Sequence, residues 1–401
     1  MAILSWALYD FANTIFSGIV LTLYFPLYLT RLAGANWYLG AATTASMILA
    51  GLAVPLLGAV SDETGRSKRY LIYTTLLCIL LLCLLSASQN PVSLIVIFVG
   101  ACFFYHASLV FYNSLLPVAA PPEKQGWASG LGTGLGYLGL VAALPIAYQV
   151  DKLFGTRAVF PMAGILFFVF SLPLFFFVPE RKITSPIGVP GRQFGQLWRQ
   201  EWAKLFGTIR GLGSNPRLAF FLLGNFFVVD ALNSTIFWFA IYADKVFSPP
   251  KQALTVLVVT VNAAAFIFGI VCGFLTDRFG AMRTLILAAA ILTVTLALLA
   301  WTDSYTGFLW MTATGGAFAI AGIWTAGRKV LLELVPAERV GEFFGLYGLT
   351  TKVSVIGSLA FSIVADLAGF RPALLLLVFP AAAGLFFLIF SVNSASRSTT
   401  V

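Results

Sequence analysis

Charged side chains are scarce in this chain. Asp, Glu, Lys and Arg make up 10% of its 401 residues, while 60% are hydrophobic, and the mean hydropathy is +0.94. A soluble domain is usually about 45–50% apolar, so these proportions exclude one and place the chain in a bilayer. Alternation of period two is missing as well, which argues against a β-barrel and leaves helices of about 20 residues as the way across. There is a single histidine, His106, and four cysteines, Cys78, Cys83, Cys102 and Cys272. The cysteines lie inside apolar segments without CxxC spacing, and so give neither a zinc ligand set nor a disulfide framework. With neither HExxH nor GxSxG present, an intramembrane enzyme would have little catalytic apparatus, and no catalytic residue, metal or cofactor is expected. The run Gly134-Leu-Gly136-Tyr-Leu-Gly139 matches GxGxxG only formally, because no strand precedes it. Gly130 with Gly134, and Gly132 with Gly136, fit the small-xxx-small spacing that lets membrane helices approach. No cleaved leader is expected, since the first apolar run carries Trp6, Asp10 and Asn13 and continues to about Leu29 without a small-residue cleavage site.

What is present is a series of apolar runs. Twelve spans are predicted, at about 3–30, 38–60, 70–88, 92–116, 127–149, 158–178, 217–243, 252–275, 284–301, 307–332, 343–366 and 371–391. The fold class is therefore an all-α membrane protein. Loops on the side of the termini hold most of the basic residues, among them Arg66, Lys68, Arg69, Lys124, Arg181, Lys182, Arg278 and Arg283. The other side holds only Arg31, Lys152, Arg157, Lys245, Lys251 and Arg371. The positive-inside rule then puts both termini in the cytoplasm, and it accounts for the net charge of +9 without nucleic acid as a partner. The domains predicted are a six-helix half at 1–178, a cytoplasmic linker at 179–216, a second six-helix half at 217–391 and a cytoplasmic tail at 392–401. In the linker, Phe194, Leu197, Trp198, Trp202, Leu205, Phe206 and Ile209 recur at helical spacing among Arg192, Arg199, Lys204 and Arg210, as expected of a helix lying in the membrane interface.

The two halves echo one another. GAVSDETGRSKR begins at Gly58 and GFLTDRFGAMR at Gly273, so Gly58, Asp62 and Gly65 recur as Gly273, Asp277 and Gly280, each 215 positions on. PPEKQGWASG and PAERVGEFFG keep the same offset and map Pro121, Glu123, Lys124, Gly126 and Gly130 onto Pro336, Glu338, Arg339, Gly341 and Gly345. A third match pairs Asp10, Asn13 and Thr14 with Asp230, Asn233 and Ser234, at an offset of 220. Three matches in one order indicate a duplicated unit of six helices.

The loop with Gly58, Asp62, Gly65, Arg66 and Lys68 resembles the signature loop of the major facilitator superfamily, and the likeness extends over the twelve-span plan. WALYDFANTIF at Trp6–Phe16, FYNSLLP at Phe111–Pro117 and GYLG at Gly136–Gly139 are similar to the branch related to autophagy-related vacuolar amino-acid effluxers. This resemblance implies a secondary transporter with two pseudo-symmetric halves and alternating access, whose first, fourth, seventh and tenth helices line a central cavity. It gives the Gly58–Arg69 loop the role of a cytoplasmic gate, with Asp277 and Arg278 as a shorter and weaker second copy; a purely structural turn is the alternative. Drug antiporters of the superfamily often carry Gly-Pro in the fifth span, whereas here Tyr137 follows Gly136, which counts against multidrug antiport.

Candidate solute or proton residues follow from the cost of polar groups in hydrocarbon. A carboxylate inside a span costs roughly 2.5–3.5 kcal/mol and usually faces a cavity or a partner. Asp10 and Asp230 are therefore candidates, with Asn13 and Asn233 on the same helix faces; helix-to-helix packing is the alternative for each. Lys352 is the one base well inside a span, able to meet a carboxylate or to snorkel to the interface. Trp324 and Arg328 end a stripe along the tenth span, and Arg328 with Lys329 fits interfacial anchoring equally. His106 shares a face with Asn113 on the fourth span and reads as either a relay or a hydrogen-bonded core residue. The expected function is movement of a small polar solute, such as an amino acid, with proton coupling through Asp10 or Asp230. Translocation of a lipid or lipophilic solute is the alternative, and a non-transporting receptor or scaffold a more distant one. The expected partners are the solute and the lipid bilayer, the expected state a monomer, and the expected location the inner (plasma) membrane.

Overall fold

The computed structural model describes residues 1–33, 37–180, 203, 207, 210–353 and 356–398. These residues form helices and connecting turns, with no strand among them. Eleven helices are long and apolar enough to cross a membrane. We number them α1 (Ala2–Leu29), α2 (Trp37–Thr64), α3 (Ser67–Leu85), α4 (Pro91–Ser114), α5 (Gln125–Phe154), α6 (Thr156–Phe177), α7 (Pro216–Phe247), α8 (Lys251–Phe279), α9 (Ala281–Trp301) and α10 (Tyr305–Leu334), with α12 (Phe370–Asn393) last. The twelfth predicted span, α11, is described over Val340–Val353 and Ile356–Ala368. The linker helix predicted around Phe194–Ile209 lies almost wholly outside the described residues.

Local sequence explains the ends of several helices. Asn90 accepts from the Val92 and Ser93 amides with Pro91 in the first turn, and Asn215 accepts from Leu218 ahead of α7 with Pro216 in its first turn. Both follow the usual pairing of an Asx cap with proline at the next position. The turns after α2 and α8 contain Gly65 (φ 65°) and Gly280 (φ 98°), a left-handed backbone at repeat-related positions. Several helices outrun their predicted spans: α5 reaches Phe154 and α7 reaches Phe247. Hydropathy reads only the hydrocarbon stretch, whereas these helices continue through Asp151 and Lys152, or Asp244 and Lys245, into the polar interface.

The chain forms two compact units. One comprises Met1–Pro122, Leu135–Ala203 and Ala337–Gly348, and the other Glu123–Gly134, Lys204–Pro336 and Leu349–Val401. In the first, α1 packs on α6, α2 on α4, and α3 on both α4 and α6. In the second, α7 packs on α12, α8 on α10, and α9 on both α10 and α12. Each pair is the earlier one advanced by six helices, so the packing repeats as the sequence does. Within the spans, Phe16–Tyr24 in α1 and Thr312–Gly316 in α10 are π-helical, a wider turn often found at functional sites.

Candidate functional site

The repeated loop builds a clamp. Asp62, near the end of α2, is 9% exposed, and its two carboxylate oxygens accept the main-chain amides of Gly341 at 3.0 Å and Glu342 at 2.8 Å. Those amides open α11, so a full negative charge caps the positive end of a helix dipole. Close approach requires glycine on both sides. A Cβ on Gly341 would stand 2.6 Å from the Gly58 carbonyl oxygen and 2.9 Å from Asp62, and one on Gly58 would run into the Gly341 carbonyl. Arg339 closes the clamp from outside with a two-pronged bond to Glu342, at 2.8 and 2.7 Å. Its hydrogen bond to Glu342, reinforced by the charges of Glu342 and Asp62, lifts the guanidinium pKa above the usual arginine value despite partial burial. Arg66 is exposed, and the Lys68 contact is made by its main-chain amide, which donates to Glu180 at 2.8 Å. Within this loop, then, Gly58 and Asp62 make the clamp, Gly65 makes the turn, and Arg66 and Lys68 begin the next helix.

The second unit contains the same device at repeat-related positions. Asp277, near the end of α8, accepts the amides of Gly126 at 2.8 Å and Trp127 at 2.6 Å, which open α5. Gly126 and Trp127 stand 215 positions before Gly341 and Glu342. A Cβ on Gly273 would lie 2.9 Å from the Gly126 carbonyl, and one on Gly130 only 2.6 Å from the Gly273 Cα. A third donor is the Lys329 ammonium, 2.6 Å from Asp277, with side-chain exposures of 9% and 15% for the pair. The contacts thus do not support a weaker second copy, because Asp277 has three donors in place of the missing basic cluster. Arg278 is not one of them; it is exposed and lies over the Phe274 and Phe279 rings at 5.6 and 5.8 Å. Lys329, which the sequence offered as an interfacial anchor, is the cation of this clamp.

The intramembrane carboxylates have different surroundings. Asp10 is 5% exposed, and its Oδ1 accepts from Asn13 Nδ2 at 2.9 Å. It sits beside a packed aromatic column in which Trp6 stacks on Tyr112 at 4.3 Å and Tyr9 on Tyr112 at 4.9 Å. Trp6 also donates to the Tyr112 carbonyl, and the Tyr9 hydroxyl meets Thr75. On α4, His106 lies against Tyr105 with ring centroids 5.1 Å apart, and Asn113 Oδ1 is buried with no hydrogen-bond partner among the described residues. In the other unit Asp230 is also 5% exposed, but its Oδ1 accepts the Gly357 amide of α11 at 3.0 Å, and Asn233 takes no part. Trp324 and Arg328 are partly buried on α10. Lys352 belongs to α11, and its side chain lies outside the described residues. Further along α7, Trp238, Phe239, Tyr242, Phe308 and Phe361 line an apolar cavity of about 20 Å³.

With twelve repeat-related segments, two glycine-backed clamps and paired carboxylates in place, the comparison with known proteins is specific. Residues 124–399 match the family described as vacuole effluxer Atg22 like. The chain belongs to that Atg22-like family. An uncharacterized MFS-type transporter, YxiO of Bacillus subtilis, is 25% identical over 387 residues, covering 91% of this chain and 88% of that one. Autophagy-related protein 22 of Yarrowia lipolytica is 25% identical over 274 residues, covering 59% of this chain and 45% of its own length. The human organic anion transporter MFSD10 has the same fold, with a TM-score of 0.78 at 14% identity over 96% of this chain and 98% of that one. This Atg22-like protein is thus a multi-pass membrane protein with the major facilitator fold and the homology of a secondary transporter.

Three residues central to these contacts were not singled out as site residues by sequence. Lys329 was masked by its neighbour Arg328, since tandem bases near a span end look like an anchor. Gly341 was visible only as a repeat match, and Gly357 carries no motif. The repeat itself held a usable signal: Lys329 aligns with Ser114, so a charge present in one half alone marked it as having a particular partner.

Proposed function

We propose that this Atg22-like protein moves a small polar solute, an amino acid or similar metabolite, by alternating access, with both termini in the cytoplasm and the protein in the plasma membrane. The observation that carries this reading is the reciprocal pair of clamps. Each ties a helix of the first six to one of the last six: Asp62 on α2 holds the start of α11, and Asp277 on α8 holds the start of α5. Contacts made of charge against helix ends can form and break as units without disturbing an apolar core. They suit a gate on the side of the termini, and they make no demand on solute chemistry. Solute chemistry falls instead to the buried polar residues of the spans, Asp10 and Asp230 first, with a proton as the coupling ion in this reading.

The test is a solute screen by thermal stabilisation of the purified protein, followed by uptake into proteoliposomes with and without a pH gradient. Stabilisation and gradient-dependent uptake of a polar metabolite is the expected result. Response to lipids alone would sink this reading in favour of lipophilic-solute translocation.

A further inference from the structure

We propose that Asp230 and Ser234 form a binding site for a monovalent cation beside Gly357, and that the ion bound there is the one coupled to transport. The second clause rests on the transporter reading; the first does not. Both side chains are nearly inaccessible, Asp230 at 5% and Ser234 at 1% exposure. Asp230 Oδ1 is committed to the Gly357 amide at 3.0 Å. Ser234 Oγ has no hydrogen-bond partner among the described residues, an arrangement that costs about 1–3 kcal/mol unless something is bound there. A Cβ on Gly357 would lie 2.6 Å from Asp230 Oδ2 and 2.8 Å from Ser234 Oγ. The two oxygens therefore converge on the same face of Gly357, where any larger side chain would displace them.

The donor set defines the ligand class. One carboxylate and one neutral hydroxyl carry a single negative charge, which repels an anion and balances one positive charge. A divalent ion would call for more carboxylates, and no group of three His, Cys, Asp or Glu occurs among the described residues. Helix α7 packs against α8, α10, α11 and α12. The ionisable residues described on those helices include Cys272, Asp277 and Arg278; Tyr305, Arg328, Lys329 and Glu333; Asp366; and Arg371. None of them acts on the Asp230 carboxyl, whose environment is set by burial and the Gly357 amide. The repeat supplies a contrast, since Asp10 already has Asn13 on its carboxylate, whereas the corresponding Asn233 leaves Asp230 to Gly357 and Ser234. The cation site thus belongs to the α7 copy alone.

A proton and a sodium ion share this chemistry, and binding measured without flux separates them. The purified full-length protein is unfolded thermally in sodium chloride against choline chloride at equal ionic strength, and then across about pH 5 to 8 without sodium. For a sodium site, sodium raises the wild-type Tm, and the rise is lost in Asp230→Asn and Ser234→Ala but kept in Asp10→Asn. For a proton site, sodium has no effect, and the pH dependence of Tm is lost in Asp230→Asn and kept in Asp10→Asn. Gly357→Ala retains both oxygens while placing a methyl between them, so it should lose the same response even if Asp230→Asn does not fold. A wild-type Tm indifferent to both ions, or variants at 230, 234 and 357 that all respond as wild type does, overturns the site. Ion binding in a chain that moves no solute in proteoliposomes leaves the site standing and refutes transport instead.

Discussion

Replacing Lys329 with methionine removes one of three donors to Asp277 and leaves a carboxylate of 15% side-chain exposure facing two main-chain amides. Losing one partner of a fully buried ion pair costs about 3–5 kcal/mol. The Gly126 and Trp127 amides remain and the pair is not wholly dry, so about 2 kcal/mol is the better figure, near the range for a charged hydrogen bond. If the clamp holds one of two exchanging states, that amount changes their ratio by about 30-fold, at 1.4 kcal/mol per tenfold. The readout is the labelling rate, by a membrane-impermeant maleimide, of Ser129→Cys in a background whose four native cysteines are alanine. Ser129 is fully buried on α5 and donates to the Thr325 carbonyl at 2.9 Å, so it becomes reactive only when this end of α5 is released. Lys329→Met should raise the rate by about an order of magnitude or more. A double exchange, Asp277→Lys with Lys329→Asp, should not restore slow labelling, because an ammonium cannot accept the Gly126 and Trp127 amides. Restoration by the exchange would mean that a simple ion pair does the holding. No change in Lys329→Met would mean that the pair is incidental.

Asp62→Asn keeps one acceptor for the Gly341 and Glu342 amides but removes the charge; it should change the rate or balance of state exchange while the order of solute preference in counterflow stays as in wild type. Gly341→Ala places a methyl 2.6 Å from the Gly58 carbonyl, and overpacking against main chain should cost about 1–3 kcal/mol, seen as a lower Tm of the purified protein; an unchanged Tm would show that α2 and α11 can separate freely here. In proteoliposomes Asp230→Asn should abolish gradient-driven uptake while sparing counterflow, whereas Asp10→Asn, whose amide can still pair with Asn13, should lower gradient-driven uptake by much less and also spare counterflow. Equal effects of the two variants on both assays would remove the distinction drawn between them.

Much of this was legible in the chain, and the limits have physical causes. The offset of 215 marked Gly58, Asp62, Gly126, Gly273, Asp277 and Gly341 as equivalent sets, and all six meet in the clamps. It did not say that Asp62 meets Gly341 rather than Gly126, because a repeat fixes which residues are alike and not which helices are neighbours. Helical spacing put Asn13 beside Asp10, and the same spacing failed for Asn233, since Asp230 has an amide from another helix to accept. Lys329 and Asp277 are 52 positions apart on separate helices, beyond the reach of any local pattern. Hydropathy located the spans but undershot α5 and α7, whose ends are polar.

The π-helical stretch in α1 changes how that helix reports on itself. Before the π stretch, Trp6, Tyr9, Asp10, Asn13 and Phe16 are buried at α spacing; from Ile15 onward buried residues recur in steps of five, Ile15, Val20 and Phe25 beside Ile19, Tyr24 and Leu29. A substitution scan along α1 will therefore lose phase near residue 16, and a single periodicity fitted through it would assign half the helix to the wrong face. The wide turn acts as an extra residue accommodated within the span. Deleting one residue between Phe16 and Tyr24 should therefore be absorbed by tightening the turn to α geometry, with the Phe25–Leu29 end keeping its face relative to Asp10, whereas a one-residue deletion in the regular turns before Phe16 would swing that end by about 100°.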